Sequence, residues 1–357
     1  MSIQVRMRME ARKLRIVFMG TPEFAVESLR ALVESGHQVV GVVTAPDRPA
    51  GRGLKVSESA VKKYAVSVGL PVLQPEKLKN PGFLTQLAAL NPDLQVVVAF
   101  RMLPEVVWAA PRLGTFNLHA SLLPQYRGAA PLNWALIHGE TETGVTTFLL
   151  SHEIDTGQIL FREKEPIHPS DTVGDLHDRL MLRGARLVVK TVEALATGDY
   201  VPVPQEALIS AAGELKAAPK IFREDMHISW NAPAEQVRNL IRGLSPWPAA
   251  WTTLRHRAGT AHMEMKIYGA ETGAPGVPST PGETNTPGAS QGPLKTGAPA
   301  ETTIPPGTIR TDGKRYLEVA CADGWLRITD LQLSGRKRMK TEEFLRGFSG
   351  AEEFRAE

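Results

Sequence analysis

Continuous apolar runs separated by amphipathic stretches organise the first half of the chain. The runs at 14–19, 39–44 and 94–100 predict buried strands, because strands covered on both faces have few polar positions. An amphipathic stretch that ends at Gly36 separates the first two runs and predicts a helix. This strand–helix–strand order predicts βαβ units and therefore a parallel sheet. A long amphipathic stretch at 172–196 predicts the helix that closes this domain.

The pattern changes in the second half of the chain. Asp312-Gly313 and Asp323-Gly324 are typical of hairpin turns, and the segment 235–244 predicts one helix. Short antiparallel strands with a single helix predict a small, partly open barrel of the OB type. The segments that predict these strands are 250–254, 262–268, 307–310, 316–320 and 325–333.

A chain of 357 residues is long enough for two domains, each with its own core. We predict an α/β, Rossmann-like domain at 14–198, a proline-dotted linker at 199–218, and the OB-like domain at 219–357. Residues 271–306 are rich in Pro, Gly, Thr and Ser and hold almost no large apolar residue. Such a segment buries too little surface to offset its ordering entropy, so we predict a disordered insertion.

Composition narrows the function classes only slightly. The formal net charge is +3 and the sequence pI is about 8.9, which permits a nucleic-acid partner without requiring one. The single cysteine, Cys321, excludes a disulfide framework and a Cys-rich zinc site, and suits a reducing, cytoplasmic compartment. No apolar run reaches the roughly 18 residues of a membrane span. Because the sequence shows no amphipathic stripe of the kind that marks a subunit interface, we expect a monomer.

The candidate chemistry lies where a strand-like run from Thr115 opens into a polar loop. Asn117 and His119 are two residues apart, so on an extended strand their side chains project from the same face. An amide donor beside an imidazole suits a reaction in which negative charge develops on a carbonyl oxygen. Neither residue is an obvious nucleophile, which favours direct transfer. Taken alone, however, Asn-x-His is more typical of a strand end with an interior histidine.

A second polar segment, H-E-I-D-T-G at 152–157, follows another strand-like run at 145–150. A carboxylate at such a strand end, here Asp155, can orient the imidazole of His119 and keep it protonated. The Asp-Thr-Gly trio alone is also typical of an ordinary turn.

Two basic stretches suit a polyanionic substrate. The loop at 45–57 leaves the carboxyl end of a predicted parallel strand, where α/β proteins bind ligands. The second stretch lies near the end of the predicted barrel and suits contact with phosphates. Considered only as runs of basic residues, both stretches are more typical of solvated protein surface. The cations concerned are Arg48, Arg52 and Lys55 in the loop, and Arg336, Lys337 and Arg338 in the barrel.

Five motifs in order resemble those of the 10-formyltetrahydrofolate-dependent formyltransferases, and among them the family that formylates methionyl-tRNA. They are I-V-F-M-G-T-P-E-F from Ile16, P-D-R-P-A-G-R-G from Pro46, F-N-L-H-A-S-L-L-P-Q-Y-R-G-A-A-P from Phe116, H-E-I-D-T-G from His152, and G-L-S-P-W-P from Gly243. The resemblance extends from about residue 15 to the end of the chain.

The resemblance implies roles for particular residues. Asn117, His119 and Asp155 match the family's catalytic trio, with 10-formyltetrahydrofolate as the formyl donor, initiator methionyl-tRNA as the acceptor and no metal. The family's basic loop enters the acceptor-stem groove, which implies tRNA contacts for the loop cations. The residues that match folate-contacting segments are Ser121, Leu122, Leu123 and Pro124, together with Arg101, Met102 and Leu103, where Phe100-Arg101 replaces the common Tyr-Gly.

Three other functions stay open from the sequence. A formyltransferase for a small amine would keep the trio but would not need the basic loop or the barrel. A catalytically silent tRNA-binding protein would keep the basic stretches and show no formyl transfer. A formyltetrahydrofolate hydrolase would differ chiefly in using water as the acceptor.

Overall fold

The computed structural model describes residues 13–50, 55–259, 261–272 and 304–357, so most of the predicted insertion lies outside the described residues. The chain divides into two compact units. The first runs through Leu136 and includes Glu140–Ile221, and the second holds Ile137–Gly139 and Phe222–Glu357. The predicted domain limits at 198 and 219 stay predictions.

The first half of the chain alternates strands and helices. The strands are β1 (Arg15–Gly20), β2 (Gln38–Val43), β3 (Arg48–Ala50), β4 (Lys55–Ser57), β5 (Val72–Leu73), β6 (Leu94–Val98), β7 (Thr115–His119), β8 (Arg127–Gly128), β9 (Glu142–Leu149), β10 (Ile159–Pro166) and β11 (Ala217–Ala218). The helices are α1 (Val26–Glu34), α2 (Ala60–Ser67), α3 (Pro81–Ala89), α4 (Glu105–Trp108), α5 (Pro131–Ile137), α6 (Val173–Thr197) and α7 (Glu206–Ala212).

Seven strands form the main sheet of the first unit, in the order β10-β9-β7-β6-β1-β2-β5. The five strands from β7 to β5 are parallel, and β9 and β10 extend the sheet antiparallel. Along β1, Ile16 and Phe18 belong to one buried cluster, whereas Val17 and Met19 belong to another. Because alternate residues of a strand point to opposite faces, both faces of the sheet are covered. The predicted Rossmann-like parallel sheet is confirmed.

Local signals define the ends of α6, which was predicted at 172–196. The side chain of Thr172 accepts the main-chain N–H of Asp175, and the Asp175 carboxylate accepts the N–H of Thr172, which is a capping box. At the other end, Gly198 has a φ of 74°, the left-handed conformation that glycine adopts without strain. The helix packs a stripe of buried residues, including Leu176, Leu180 and Leu187, on the sheet core.

The segment predicted as a linker contains regular structure. Helix α7 and strand β11 lie within 199–218, and β11 pairs in parallel with β8. The N–H of Tyr126 donates to the carbonyl oxygen of Lys216 at 2.7 Å, and Leu208 packs on buried apolar residues of the first unit. Two turns of helix and two residues of strand are too short to give a periodic pattern, so the sequence did not reveal them.

The second unit holds the strands β12 (Ala250–His256), β13 (His262–Thr272), β14 (Ile309–Thr311), β15 (Leu317–Ala320), β16 (Trp325–Leu333), β17 (Met339–Lys340) and β18 (Phe354–Ala356), and the helices α8 (Ala234–Leu244) and α9 (Thr341–Arg346). Its sheet has the order β14-β15-β16-β13-β12-β18, and β17 pairs with β16.

The two edges of this second sheet approach each other and almost close it. Thr308, next to β14, bridges Arg355 of β18, and the N–H of Ala356 donates to the carbonyl oxygen of Gly307 at 2.9 Å. Gly307 has a φ of +85°, and a Cβ there would lie 2.1 Å from the Ala356 oxygen, so this approach requires glycine. The predicted small OB-like barrel is confirmed. The prediction missed β18, which closes the barrel.

Candidate active site

A cavity of about 660 Å³ opens at the carboxyl ends of β6 and β7 in the first unit. This is the edge at which parallel α/β sheets bind ligands, and the volume falls in the range of about 300–1,000 Å³ that is usual for small-molecule sites. Three of the predicted site residues, Asn117, His119 and Asp155, line it together. Apolar side chains form part of its wall, among them Val97, Leu103, Trp108 and Leu150.

Asn117 and His119 extend from the same face of β7 into the cavity. The strand is held between β6 and β9, where Asn117 faces Phe148 and His119 faces Thr146. Phe116 and Leu118, the alternate residues, pack in the core of the opposite face. His119 is buried and Asn117 is half-buried. Within the described part of the chain, the Asn117 carboxamide has no hydrogen-bond partner, which leaves its N–H groups available to a ligand.

The main chain sets the tautomer of the His119 ring. Its Nε2 lies 2.8 Å from the carbonyl oxygen of Tyr126. Because a carbonyl oxygen can only accept, Nε2 carries a hydrogen and donates it. The other nitrogen, Nδ1, lies 3.8 Å from Oδ2 of Asp155. His119 therefore presents Nδ1, the nitrogen that can gain or lose a proton, to the carboxylate.

Asp155 occupies an unusual backbone conformation in the loop after β9. Its φ is 56°, in the left-handed region that side chains other than Asn and Asp seldom adopt. Its Oδ2 accepts the main-chain N–H of Gly128 at 2.9 Å, the same oxygen that faces His119. A separation of 3.8 Å from the imidazole is longer than a hydrogen bond, and such contacts commonly shorten when substrate binds.

Ser121, Leu122, Leu123 and Pro124, which the resemblance links to folate, do not line this cavity. The hydroxyl of Ser121 donates to the carbonyl oxygen of Gln125 at 2.6 Å, and the N–H of Leu123 donates to the hydroxyl of Thr146 at 3.1 Å. Leu123 is fully buried against Phe148. Leu123 packs in the turn beside β7, because its side chain gains more by burial in the core than by exposure in the cavity. Their folate contact stays a prediction.

Arg101, Met102 and Leu103 do line the cavity. The Arg101 guanidinium donates to the carbonyl oxygens of Pro75 and Glu76, the latter at 2.8 Å. Partial burial and the positive charge of Arg48 lower the pKa of Arg101. The cavity rim and the start of the basic loop are therefore close enough for their charges to interact.

The basic loop begins and ends in a short antiparallel pair, β3 with β4. Asp47, just before it, accepts the side-chain N–H of Gln74 at 2.8 Å and pairs with the Lys62 ammonium. These contacts fix the base of the loop and leave Arg48 exposed. The predicted cation Arg52 lies outside the described residues, and Lys55 contributes its backbone to β4.

The three basic residues predicted near the end of the barrel differ in their surroundings. Asp330 binds the Arg338 guanidinium through two hydrogen bonds of 2.9 and 2.7 Å, and the guanidinium lies over the Tyr268 ring. Lys337 pairs with Glu343 at 3.1 Å. The Arg336 side chain has no ion pair with any residue that the structure describes. Arg336 is therefore the most available of the three for a phosphate.

The motifs predicted no individual role for Tyr126 and Gly128, although both lie inside the longest motif. They act through main-chain atoms, since the Tyr126 carbonyl oxygen holds His119 and the Gly128 N–H holds Asp155. Tyr126 has a φ of 59°, and its hydroxyl donates to Glu140 at 2.6 Å. Burial, and after it the Glu140 carboxylate, raises the pKa of Tyr126 strongly. The hydroxyl therefore anchors the turn as a neutral donor.

The described ranges hold neither a metal-binding cluster nor a membrane-spanning helix. In the ranges that the structure describes, no three His, Cys, Asp or Glu side chains come together as a metal ion would require. Over the same ranges, no helix combines the length and apolar character needed to cross a membrane.

Comparison with known proteins matches both halves of the chain. The Formyl transferase family matches residues 14–192, and the Formyl transferase, C-terminal domain family matches residues 220–349. A methionyl-tRNA formyltransferase of Parabacteroides distasonis is 55% identical over 347 residues, which are 97% of this chain and 99% of the relative. A methionyl-tRNA formyltransferase of Bacteroides thetaiotaomicron is 52% identical over 340 residues, 95% of this chain and 97% of the relative.

Solved structures show the same fold at lower identity. The structure of HypX from Aquifex aeolicus in complex with tetrahydrofolic acid is 18% identical, with a TM-score of 0.56 over 93% of this chain and 47% of the other. At this sequence identity the structural similarity shows a shared fold only. The family matches and the full-length relatives show more: the chain belongs to the formyltransferase family and, within it, to the methionyl-tRNA formyltransferases.

Proposed function

We propose that this enzyme transfers the formyl group of 10-formyltetrahydrofolate to the α-amino group of methionyl-initiator tRNA, for translation initiation. The single observation that carries the proposal is the convergence of Asn117, His119 and Asp155 in one cavity of about 660 Å³. An amide, an imidazole and a carboxylate can together stabilise an oxyanion and move a proton. The relatives that match nearly the full chain are named for the same reaction.

The cavity wall suits a flat, partly apolar donor. Val97, Leu103, Trp108 and Leu150 offer apolar surface, and the Arg101 segment forms the rim. These residues would hold the ring system of the folate, and the bound folate supplies a formyl group already activated for transfer. A related solved protein of the same fold was captured with tetrahydrofolic acid, which supports this choice of donor class.

Asn117 and His119 would stabilise the charge that develops in the transition state. When the amine attacks the formyl carbon, the carbonyl oxygen becomes an oxyanion that needs hydrogen-bond donors. The Asn117 N–H groups have no competing partner among the described residues, so they can donate to it. Protonated His119 stabilises the oxyanion through its positive charge, because Nε2 stays bound to the Tyr126 carbonyl and the second proton, on Nδ1, faces Asp155.

Asp155 would carry the proton that passes from the attacking amine to the departing nitrogen. A carbon–nitrogen bond forms to the methionyl amine, and the bond between the formyl carbon and the folate nitrogen breaks. The attacking amine loses a proton, and the departing nitrogen gains one. The Asp155 carboxylate keeps His119 protonated and carries the amine's proton, by way of a water molecule, towards the departing nitrogen.

The basic loop would guide the tRNA to this cavity. Arg48 is exposed at the start of the loop and close enough to Arg101 at the cavity rim to affect its pKa. A cation beside the cavity suits the phosphates of an acceptor stem whose 3′ end carries the methionine. Arg52 and Lys55 extend the same charge along the loop sequence, and Arg336 supplies an exposed cation in the second unit.

The direct test is transfer of labelled formyl from 10-formyltetrahydrofolate to charged initiator tRNA, with charged elongator tRNA alongside. We expect rapid transfer to the initiator and a strong preference over the elongator. If neither tRNA is formylated although tetrahydrofolate binds, the acceptor is a different, smaller amine. If label appears as free formate, the enzyme uses water as the acceptor.

The proposal also covers the oligomeric state and the cellular compartment of the enzyme. We expect a monomer in the cytoplasm, and Cys321 is buried and unpaired, as suits a reducing compartment. Sedimentation of the active protein, alone and with tRNA, measures the number of chains in the complex. A dimer would contradict this part of the proposal and leave the chemistry as stated.

A further inference from the structure

A buried glutamine connects the loop of Asp155 to the segment before α7. Gln205 is fully buried, and its Nε2 donates to the carbonyl oxygens of Asp155 and Gly157, both at 2.8 Å. Its Oε1 accepts two hydrogen bonds from the Arg127 guanidinium, at 3.1 and 2.7 Å. Both amide hydrogens and both lone pairs are therefore used, and only one orientation of the amide fits these partners.

The position of Gln205 is fixed by an isolated β-bridge just before it in the chain. Val203 and Ile159 exchange two main-chain hydrogen bonds of 2.9 Å, which place this segment against the start of β10. Gln205 then immediately precedes α7. The amide is thus presented to the Asp155 loop by a paired backbone and a helix start.

Asp155 depends on outside contacts for its conformation. Its φ of 56° is one that few side chains adopt, so the surrounding structure has to select it. Gln205 holds the main-chain oxygen of Asp155, and the Gly128 N–H holds its carboxylate. Arg127, the neighbour of Gly128, binds Gln205 in turn. These contacts form a closed ring around the carboxylate that faces His119.

We propose that Gln205 is a positioning residue for formyl transfer: it holds the Asp155 loop so that the carboxylate faces Nδ1 of His119. Arg127 supports it by fixing the amide. This inference rests on the proposed catalytic role of Asp155. Gln205 touches neither the cavity nor a reacting atom, so it acts by positioning other residues and not by contact with substrate.

The test compares Gln205→Leu in the wild-type and Asp155→Asn backgrounds. In the wild-type background we expect kcat for formyl transfer to fall about a hundredfold, the loss that a misplaced catalytic group produces. The KM values for both substrates and the binding of tetrahydrofolate should stay at the wild-type level. In the Asp155→Asn background the same substitution should lower kcat little further, because the group it positions is already disabled.

Gln95→Leu is the matched control. Gln95 is also fully buried, and its Nε2 has no hydrogen-bond partner among the described residues, but it does not touch the Asp155 loop. This variant should leave kcat unchanged in both backgrounds. Gln205→Glu is a second probe, since the carboxylate can still bind Arg127 but cannot donate to the Asp155 and Gly157 carbonyls. We expect it to lose kcat as Gln205→Leu does.

Three outcomes would overturn the inference or its basis. Equal losses from Gln205→Leu in both backgrounds would mean that the amide only supports the fold. Wild-type kcat in Gln205→Leu, with Asp155→Asn impaired, would refute the positioning role and leave the proposed function intact. Full activity in Asp155→Asn would refute the role of Asp155 itself. If Gln205→Leu does not fold, the same comparison is made with Arg127→Lys, because lysine cannot donate two parallel hydrogen bonds to Oε1 of Gln205 as the guanidinium does.

Discussion

Nδ1 of His119 lies 3.8 Å from Oδ2 of Asp155, and that same oxygen accepts the main-chain N–H of Gly128 at 2.9 Å. One carboxylate oxygen is thus held by the main chain and also faces the imidazole, so its charge acts on the ring. The proposed mechanism has this imidazole, in its protonated form, stabilise the oxyanion. The proposed mechanism depends on that pairing.

Asp155→Asn tests the charge of this pair without removing the side chain. The amide oxygen can still accept from Gly128, but it cannot stabilise a protonated His119 or accept a proton. We expect kcat for formyl transfer to fall by about 10²–10⁴, the usual contribution of an acid–base group, with tetrahydrofolate binding unchanged. Steady-state rates and folate titration measure both. A loss confined to KM would contradict the assignment.

Arg48→Ala tests the contact between the basic loop and tRNA. One lost phosphate contact should raise the KM for methionyl-tRNA and reduce the slope of log affinity against log salt by about 1. The KM for the folate donor should not change. Arg30→Ala is the control. Arg30 is a surface cation paired with Glu27, and its substitution removes the same net charge as Arg48→Ala. Identical salt slopes for the two variants would exclude Arg48 from the interface.

Gly157→Ala tests the close packing under the Asp155 loop. A Cβ at Gly157 would lie 1.6 Å from the carbonyl oxygen of Leu149, so the backbone has to move. We expect the free energy of unfolding to fall by about 3 kcal/mol, the upper range for overpacking, with a parallel loss of activity. At Gly324 a Cβ meets no described atom within 4 Å, so Gly324→Ala should change stability by less than about 0.5 kcal/mol. Urea unfolding compares the two; equal stabilities would contradict the packing.

Cys321 predicts a pH dependence of stability. Burial raises the pKa of the Cys321 thiol to about 12, whereas an unfolded cysteine has a pKa of about 8.5. The unfolded state therefore ionises first, and the stability that this thiol contributes below pH 8.5 is lost as the pH rises towards 12. Relative to Cys321→Ala, the wild-type protein should lose about 2 kcal/mol between pH 7 and pH 10. A pH-independent difference in urea unfolding would contradict the burial of the thiol.

The sequence predicted the parts of the fold that depend on long patterns. The apolar runs of β1, β2 and β6 and the capped stripe of α6 carry their own signals, because burial on both faces or on one stripe requires them. Strand β18 and helix α7 were missed. Each is short, and its position depends on partners distant in the chain, such as Gly307 for β18.

The candidate site, like the fold, could be predicted only in part from the sequence. Asn117 and His119 could be paired from their spacing on one strand. Asp155 follows β9, which runs antiparallel to β7, so strand order alone does not place it there; the loop after β9 brings it to the cavity. The groups that orient them could not be predicted, because the Tyr126 carbonyl and the Gly128 N–H are main-chain atoms with no residue signature. Gln205 lies in a segment whose proline-rich sequence is typical of a linker.

Asn117→Ala gives the most direct test of the central claim, measured as the single-turnover rate of formyl transfer to methionyl-initiator tRNA with both substrates saturating. Loss of an oxyanion donor removes about 2.7–4 kcal/mol of transition-state stabilisation, so we expect a rate about two to three decades below wild type. Asn231→Ala, at an exposed asparagine of the second unit, should react at the wild-type rate. A fall of less than about tenfold for Asn117→Ala would contradict the account, since it is far below the usual loss.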